Sequence, residues 1–255
     1  MSDMGTRVCL PMSRSVRQSV SRPAITASFD DFRAFAEAAG LAGASVTAPF
    51  KVNAFERADE CDPVSNRIHS VNTLRREGSK WLGTNTDVTG FLRPLEAAMR
   101  LRLVRATVLG AGGAARSVSV ALASAGVRVT LSARREEQAQ AVAALTGATV
   151  APWPPDPATW DLLVNATPVG TAPHHDRSPL PGDYLFHGGG MVYDLVYNPP
   201  ETRLLLDAAK AGCRTLGGLD MLVAQAQAQF EWWTGQRPSD RIMRDAAMAQ
   251  LQEKR

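Results

Sequence analysis

Residues able to do chemistry gather first in Ala106-Thr107-Val108-Leu109-Gly110-Ala111-Gly112-Gly113-Ala114-Ala115-Arg116. An apolar, β-branched run meets a glycine cluster, and an alanine-rich, helix-prone segment follows at once. Gly110, Gly112 and Ala115 fit the G-x-G-x-x-G/A phosphate turn. The first glycine makes the tight turn, the second lets backbone approach a pyrophosphate, and the small third residue packs helix on strand. The helix start then offers free N–H groups and the positive end of its dipole to phosphates. A glycine turn with no ligand is common in α/β proteins, so the flanks decide. Gly126 closes the helix and Val127-Arg128-Val129-Thr130-Leu131 supplies the second strand of a βαβ unit. The stretch therefore reads as a dinucleotide site with Gly110, Ala111, Gly112, Gly113 and Ala114 at the phosphates.

The end of the second strand selects the dinucleotide. An NAD site keeps an acid there, ~20 residues after the turn, to hold the ribose 2′-OH. This chain has Ser132-Ala133-Arg134-Arg135 instead. Two guanidinium groups, Arg134 and Arg135, suit a 2′-phosphate by charge and by fork geometry. The competing reading is a solvated basic helix start, because Glu136 and Glu137 follow directly. The reading favoured is NADP(H).

The elements that must position these groups follow from composition and pattern. With 255 residues, 45% hydrophobic and 21% charged, the chain has the balance of a globular protein of one large or two modest domains. No apolar run approaches the ~18 residues of a membrane span, and no secretory leader is read at the N-terminus. Cys9, Cys61 and Cys213 form neither metal spacing nor a disulfide framework, which fits a reducing cytoplasm. The net charge of +3 is small and the basic residues are dispersed, which argues against nucleic-acid binding.

Short strands are expected at Val8-Cys9-Leu10 and Pro23-Ala24-Ile25-Thr26-Ala27. Ser28 and Asp31 predict a helix start. A strand at 44–47, a helix over 51–60 ended by Asp62-Pro63, a hairpin around Glu77-Gly78 and a helix over 87–99 come next. From Ala106 onward strands alternate with helices, which predicts a parallel, doubly wound sheet. The loop 171–190 carries His174, His175 and His187, read as facing solvent.

Several polar clusters stand in a fixed order: Val46-Thr47-Ala48-Pro49-Phe50-Lys51, Val71-Asn72-Thr73-Leu74, and Gly83-Thr84-Asn85-Thr86-Asp87. The glycine turn, Asn165-Ala166-Thr167-Pro168-Val169-Gly170, Asp194-Leu195-Val196-Tyr197-Asn198-Pro199 and Gly218-Leu219-Asp220-Met221 with Gln225 follow. In this order they resemble the shikimate dehydrogenase family over roughly residues 25–236. The resemblance implies a two-domain α/β fold: a Rossmann-type, doubly wound NADP-binding domain over 101–219, and an α/β substrate domain from 1–100 with 220–255. It implies a site in the cleft between them and reversible reduction of 3-dehydroshikimate to shikimate with NADPH, without a metal.

Residue by residue, Lys51 matches the family's catalytic lysine, although a lysine after a strand end is by default a solvated charge. Asp87 matches its partner carboxylate and could equally be a helix cap. Lys51 would deliver the proton and Asp87 orient it. Thr47, Asn72, Tyr197 and Gln225 match groups that hydrogen-bond the polyol, as neutral donors and acceptors suit hydroxyls. Asn165, Ala166, Thr167, Leu195 and Gly218 would line the nicotinamide side, at strand C-terminal ends where open α/β sheets bind ligands. Met221 is read as packing and His69 as non-catalytic.

The pattern also departs from the family. A strand, a glycine turn and a Ser-x-Ser motif for the substrate carboxylate would, counted back from Thr47, begin before Met1, so the substrate domain reads as shortened at its N-terminus, with three explanations open: a deletion with a rebuilt pocket, an incomplete reading frame, or a divergent member. Ser13-Arg14-Ser15 has the letters without their frame, and Arg14 or Arg17 is a candidate carboxylate anchor. The shortened sheet would expose an edge, and a homodimer is one way to cover it. Ala133, Arg135 and Asp220 are also off-pattern: Arg134 matches the family's NADP arginine, whereas Arg135 stands in place of a small hydroxyl residue. Two alternatives stay open: a dehydrogenase for quinate-like polyols, and a non-catalytic NADP- or shikimate-binding protein.

Overall fold

The computed structural model describes residues 28–47 and 49–252. The strands expected at Val8-Cys9-Leu10 and Pro23-Ala24-Ile25-Thr26-Ala27, the Ser13-Arg14-Ser15 triplet and the anchor candidates Arg14 and Arg17 lie outside the described residues, as does Ala48. The described chain divides into two compact units. The first runs to Thr86 and includes Trp232–Gly235; the second takes Asp87–Glu231 and continues from Gln236.

In the first unit, α1 (Phe29–Ala38) starts where its sequence dictates: Ser28 is extended and its side chain accepts from the Asp31 amide. The helix buries Phe29, Phe32 and Ala36 in a core shared with Leu74 and Trp81. Then come β1 (Gly43–Ser45), α2 (Lys51–Arg57), β2 (Glu60–Cys61), α3 (Pro63–Ile68), β3 (Thr73–Glu77) and β4 (Lys80–Thr84). The sheet order is β1-β3-β4-β2, with β1, β3 and β4 antiparallel and β2 parallel to β4.

Here the structure corrects the helix expected over 51–60. It ends at Arg57, because the main chain turns extended at Ala58 and joins the sheet. The Asp59 amide donates to the Trp81 carbonyl at 2.8 Å, and the Asp59 carboxylate accepts from the Trp81 amide at 2.7 Å. Asp62-Pro63 then starts α3 rather than merely ending α2: Asp62 caps the Ser65 amide at 2.7 Å, and Pro63 fills a first-turn position that has no intrahelical N–H partner.

The second unit opens with α4 (Asp87–Ala98) and continues β5 (Arg105–Leu109), α5 (Gly113–Ser124), β6 (Arg128–Ser132), α6 (Glu136–Thr146), β7 (Thr149–Ala151), β8 (Leu162–Asn165) and β9 (Met191–Asp194). It closes with α7 (Arg203–Lys210), β10 (Arg214–Leu216), α8 (Gly218–Thr234, whose last residues belong to the first unit) and α9 (Asp240–Gln252). The six strands are parallel in the order β10-β9-β8-β5-β6-β7.

Every residue of β8 and β9 is buried, as a parallel sheet covered on both faces requires. Alternation along them feeds two cores. Leu162, Val164, Met191 and Tyr193 pack with Phe91 and Val118 on one face, while Leu163 and Val192 pack with Trp160 and Leu204 on the other. Each such fully buried side chain contributes ~1.5–3 kcal/mol. The chain winds outward from β5 through β6 to β7, then returns to β8 on the other side. That reversal leaves a crevice at the carboxyl ends of β5 and β8, the ligand position of doubly wound sheets.

The long loop 171–190 is tied down at several points: the Ala172 amide donates to the Asn198 carbonyl at 3.0 Å, Leu180 is buried in the core around Trp160, and the Trp160 side chain and carbonyl hold the rest. The buried Trp160 indole donates to the Tyr184 hydroxyl at 3.0 Å, and the His187 ring lies 4.5 Å from that of Trp160 with its Nε2 2.5 Å from the Trp160 carbonyl. His187 is therefore half-buried, against the solvent-facing reading, because a buried indole and carbonyl need partners. His174 and His175 are exposed.

Candidate functional site

The crevice of the second unit is built from the glycine turn. Gly110 has φ +108°, and a Cβ there would stand 2.9 Å from Thr167 Cγ2. Only glycine takes this conformation against that neighbour without strain. Its amide donates to the Ser132 carbonyl at 2.9 Å, and the Ala166 amide donates to the Leu109 carbonyl at 3.0 Å, so the ends of β5, β6 and β8 are pinned together.

Gly112 and Gly113 differ from Gly110: a Cβ at either would meet nothing within 4 Å. Gly112 caps α5 without a side-chain bond, and no acid stands in the first turn. The amino end of a twelve-residue helix thus faces open space with its dipole uncancelled.

A cavity of about 240 Å³ lies over this turn, bordered by Gly110–Gly112 on one side, Ala133, Arg134 and Arg135 on another and Ala166–Val169 on a third. Arg134 and Arg135 are exposed and form no ion pair among the described residues. Open glycine faces, an unopposed helix amino end and two available guanidinium groups fit a dinucleotide carrying an extra phosphate. Gln138 and Trp153 also line the cavity and were not read from sequence. The signal for Trp153 was a lone aromatic in a proline-rich loop; Ser132 Oγ, donating to the Pro152 carbonyl at 2.7 Å, holds that loop against β6.

At the ends of β8 and β9, Asn165 Oδ1 accepts from the Thr167 amide at 3.0 Å and from the Thr167 hydroxyl at 2.7 Å. The Leu195 amide donates to the Asn165 carbonyl at 3.1 Å. A Cβ on Gly218 would stand 2.3 Å from the Leu195 carbonyl oxygen, so the start of α8 lies against the turn after β9. The structure thus brings together Gly110, Ala166 and Thr167, and Asn165 joins them to Leu195, against which Gly218 packs. Tyr197, two residues beyond Leu195, is 43% exposed.

Within the first unit, Lys51 heads α2 half-buried, and its carbonyl accepts from the Val71 amide at 2.9 Å. That bond sets the start of α2 beside Asn72. Asn72 is buried: its Oδ1 accepts from the Thr86 amide at 2.9 Å and the Thr73 hydroxyl at 2.8 Å, and its Nδ2 donates to Thr86 Oγ1 at 3.1 Å. Asn72 thereby fixes the segment that leads into Asp87. Thr47 is exposed, its carbonyl accepting from the Phe50 amide at 3.0 Å.

In the second unit, Asp87 is the first residue of α4 and is buried. Gly90, one turn on, is in close contact with Gln225 of α8; a Cβ there would stand 2.5 Å from the Gln225 Cβ. Asp220 pairs with Arg244 across α8 and α9. Met221 packs at the edge of the core, as read.

A doubly wound sheet with an open glycine turn, and an arginine pair in place of the acid, define a two-unit dinucleotide-binding α/β protein. Comparison with known proteins narrows the class. Residues 14–74 match the family model of the shikimate dehydrogenase substrate binding domain, and residues 218–248 match that of the shikimate 5′-dehydrogenase C-terminal domain. The chain is 42% identical over 231 residues, 82% of itself and 77% of the relative, to the shikimate dehydrogenase (NADP(+)) of Moorella thermoacetica.

Among solved structures it resembles the shikimate 5-dehydrogenase of Thermus thermophilus in complex with NADP(H) and shikimate. The TM-score is 0.76 at 39% identity, over 81% of this chain and 78% of that one. It also resembles the quinate dehydrogenase of Corynebacterium glutamicum in complex with NAD, with TM-score 0.78 at 29% identity, over 93% and 85%. The chain belongs to the shikimate dehydrogenase family.

Proposed function

We propose that this chain is an NADP-dependent oxidoreductase acting on a CH–OH group, and that it interconverts 3-dehydroshikimate and shikimate. The observation that carries the reading is the cavity where the glycine turn faces Arg134 and Arg135, in a chain 42% identical to an NADP-dependent shikimate dehydrogenase. The bound cofactor supplies the hydride; the chain's own residues bind, orient and move the proton.

The amino end of α5 holds the pyrophosphate through the amides of Gly112, Gly113 and Ala114. Arg134 and Arg135 hold the 2′-phosphate. Asn165, Ala166, Thr167, Leu195 and Gly218 border the nicotinamide.

Ketone reduction needs a proton on oxygen as hydride reaches carbon, from a donor within hydrogen-bond reach. Lys51 Nζ is that donor and takes the proton back in the oxidative direction. Asp87 is the partner carboxylate of this reading: it would grip a ring hydroxyl and orient the proton transfer. Thr47, Asn72, Tyr197 and Gln225 hold the remaining polar groups of the substrate. Among the described residues no helix is long and apolar enough to cross a membrane.

The test is purified protein with NADP+ and shikimate or quinate, followed by absorbance of the reduced cofactor. Turnover on shikimate that falls ~10²–10⁴-fold in Lys51→Ala and Asp87→Asn, with NADP+ binding retained, supports the reading. Faster turnover of quinate reassigns the substrate. NADP+ binding with no turnover of either polyol replaces the enzyme by a binding protein.

A further inference from the structure

Asp194, the last residue of β9, is fully buried, and so are Asn165 and Thr202 around it. Its Oδ1 accepts from Asn165 Nδ2 at 2.8 Å and from the Val196 amide at 3.0 Å. Its Oδ2 accepts from the Thr202 hydroxyl at 2.6 Å. Each donor belongs to a different piece of chain. Asn165 is the register partner of Asp194 at the end of β8, and its own Oδ1 holds Thr167 on the cavity wall. Val196 lies in the turn after β9, against which Gly218 packs. Thr202 caps α7 by accepting from the Leu205 amide at 3.3 Å.

This carboxylate has neutral donors only. Burial, with no charged neighbour opposing it, pushes its pKa up to about 6. A buried charge held without a counter-ion costs stability, and an apolar side chain of the same volume is often better for the fold alone. The position of the group is then informative. It sits where two catalytic-face loops and a helix start must keep a common register, and its two oxygens reach all three.

We propose that Asp194 is a positioning residue: its two oxygens lock the Thr167 loop, the Leu195–Val196 turn and the start of α7 into a single rigid wall for the nicotinamide end of the cofactor. Asp194 does not touch the cofactor; it acts through Asn165 and Val196. The proposal rests on the reading above that the nicotinamide lies against Thr167 and Leu195.

The test compares two ligands on one protein. NADP+ uses the whole site, whereas adenosine 2′,5′-bisphosphate uses only the half near Arg134 and Arg135. Dissociation constants for both are measured by calorimetry on Asp194→Leu, Asp194→Asn and Thr202→Val. In Asp194→Leu the affinity for NADP+ is expected to fall at least tenfold, with that for adenosine 2′,5′-bisphosphate changed less than twofold. Asp194→Asn keeps an oxygen for Asn165 and Val196, so NADP+ affinity stays within threefold of the parent. Thr202→Val removes one of the three ties in a smaller change and is expected to weaken NADP+ severalfold, again selectively.

Equal losses for both ligands in Thr202→Val would reduce Asp194 to general fold support. NADP+ affinity unchanged in Asp194→Leu would overturn the proposal outright. If the parent protein binds adenosine 2′,5′-bisphosphate but gains nothing from the nicotinamide half of NADP+, the placement of that half is wrong, and the proposal falls with the reading it rests on.

Discussion

Gly90 and Gln225 touch so closely that a methyl on the first would stand 2.5 Å from the Cβ of the second and 2.9 Å from its main-chain nitrogen. Both atoms belong to regular helices, α4 and α8, which cannot yield locally. Asp87 lies one turn before Gly90 on the same face of α4. The contact therefore sets the spacing between a carboxylate and an amide that are both proposed to hold substrate.

Gly90→Ala is expected to force α4 and α8 apart. Overpacking of this kind costs ~1–3 kcal/mol. Displacing binding groups by ~1 Å can lower efficiency by as much as ~10²-fold. Thermal unfolding should show the first effect and kcat/KM for shikimate the second, while affinity for adenosine 2′,5′-bisphosphate stays as in the parent.

The two glycines of the phosphate turn should separate by cause. At Gly110 the left-handed φ of +108° and the Thr167 methyl at 2.9 Å make alanine costly to the fold itself. At Gly112, with φ −91° and open space where a Cβ would go, alanine leaves the apo fold unchanged. Its methyl enters the volume assigned to phosphate. Gly110→Ala is expected to lower Tm; Gly112→Ala is expected to keep Tm and lose NADP+ affinity.

Arg134→Ser is expected to raise the Kd for NADP+ by about 10–100-fold, the value of one lost charge-assisted contact of ~1.5–3 kcal/mol. The Kd for NAD+ should move little, since the 2′-phosphate is the only group removed from contact. Arg135→Ser should act in the same direction. Both effects should shrink as salt is raised, because these side chains are exposed. Equal loss for both cofactors would place the arginines elsewhere than on the 2′-phosphate.

Asp194 gives a pH dependence of defined sign. Its folded value of about 6 lies above the ordinary 3.8, so between these values the folded protein binds more protons than the unfolded one. Its contribution to stability is present in full below pH ~4 and is lost as pH rises through ~6, amounting to about 3 kcal/mol. Asp194→Asn removes that slope. Urea unfolding of parent and variant from pH 4 to 8 should show the variant gaining relative stability with rising pH; a constant difference would mean that the carboxylate does not titrate in this window.

Much of this could be read before any coordinates, and the reasons are local. The turn at Gly110–Gly112, the Ser28 cap and the Glu77-Gly78 hairpin are decided by residues within a few positions of one another. Other features are decided at a distance. The two-residue β2 exists because the main chain of Trp81 and the carboxylate of Asp59 bond across 22 positions, which no periodicity records. His187 is drawn inward by a tryptophan 27 residues earlier. Asp194 stood in a legible motif, but its role appears only when β8 lies beside β9 and Thr202 folds back on both. The arginine pair was legible because charge and position after a strand suffice; Trp153 beside it was not, because a loop side chain has no periodicity to read.

One contact in the first unit has a consequence for how the chain is made. The Trp233 indole donates to the Leu74 carbonyl at 2.9 Å and lies so close over Gly43 that a Cβ there would stand 2.8 Å from it. Arg75 stacks on the neighbouring Trp232 ring, 4.4 Å from its centroid. The sheet that is synthesised first thus receives its last covering residues some 160 positions later. Until those residues are made, Gly43, Leu74 and Arg75 lack their tryptophan cover, although α1 already packs on Ala44 and Leu74; the strands of the parallel sheet, 105–216, emerge in one uninterrupted stretch before that cover is complete.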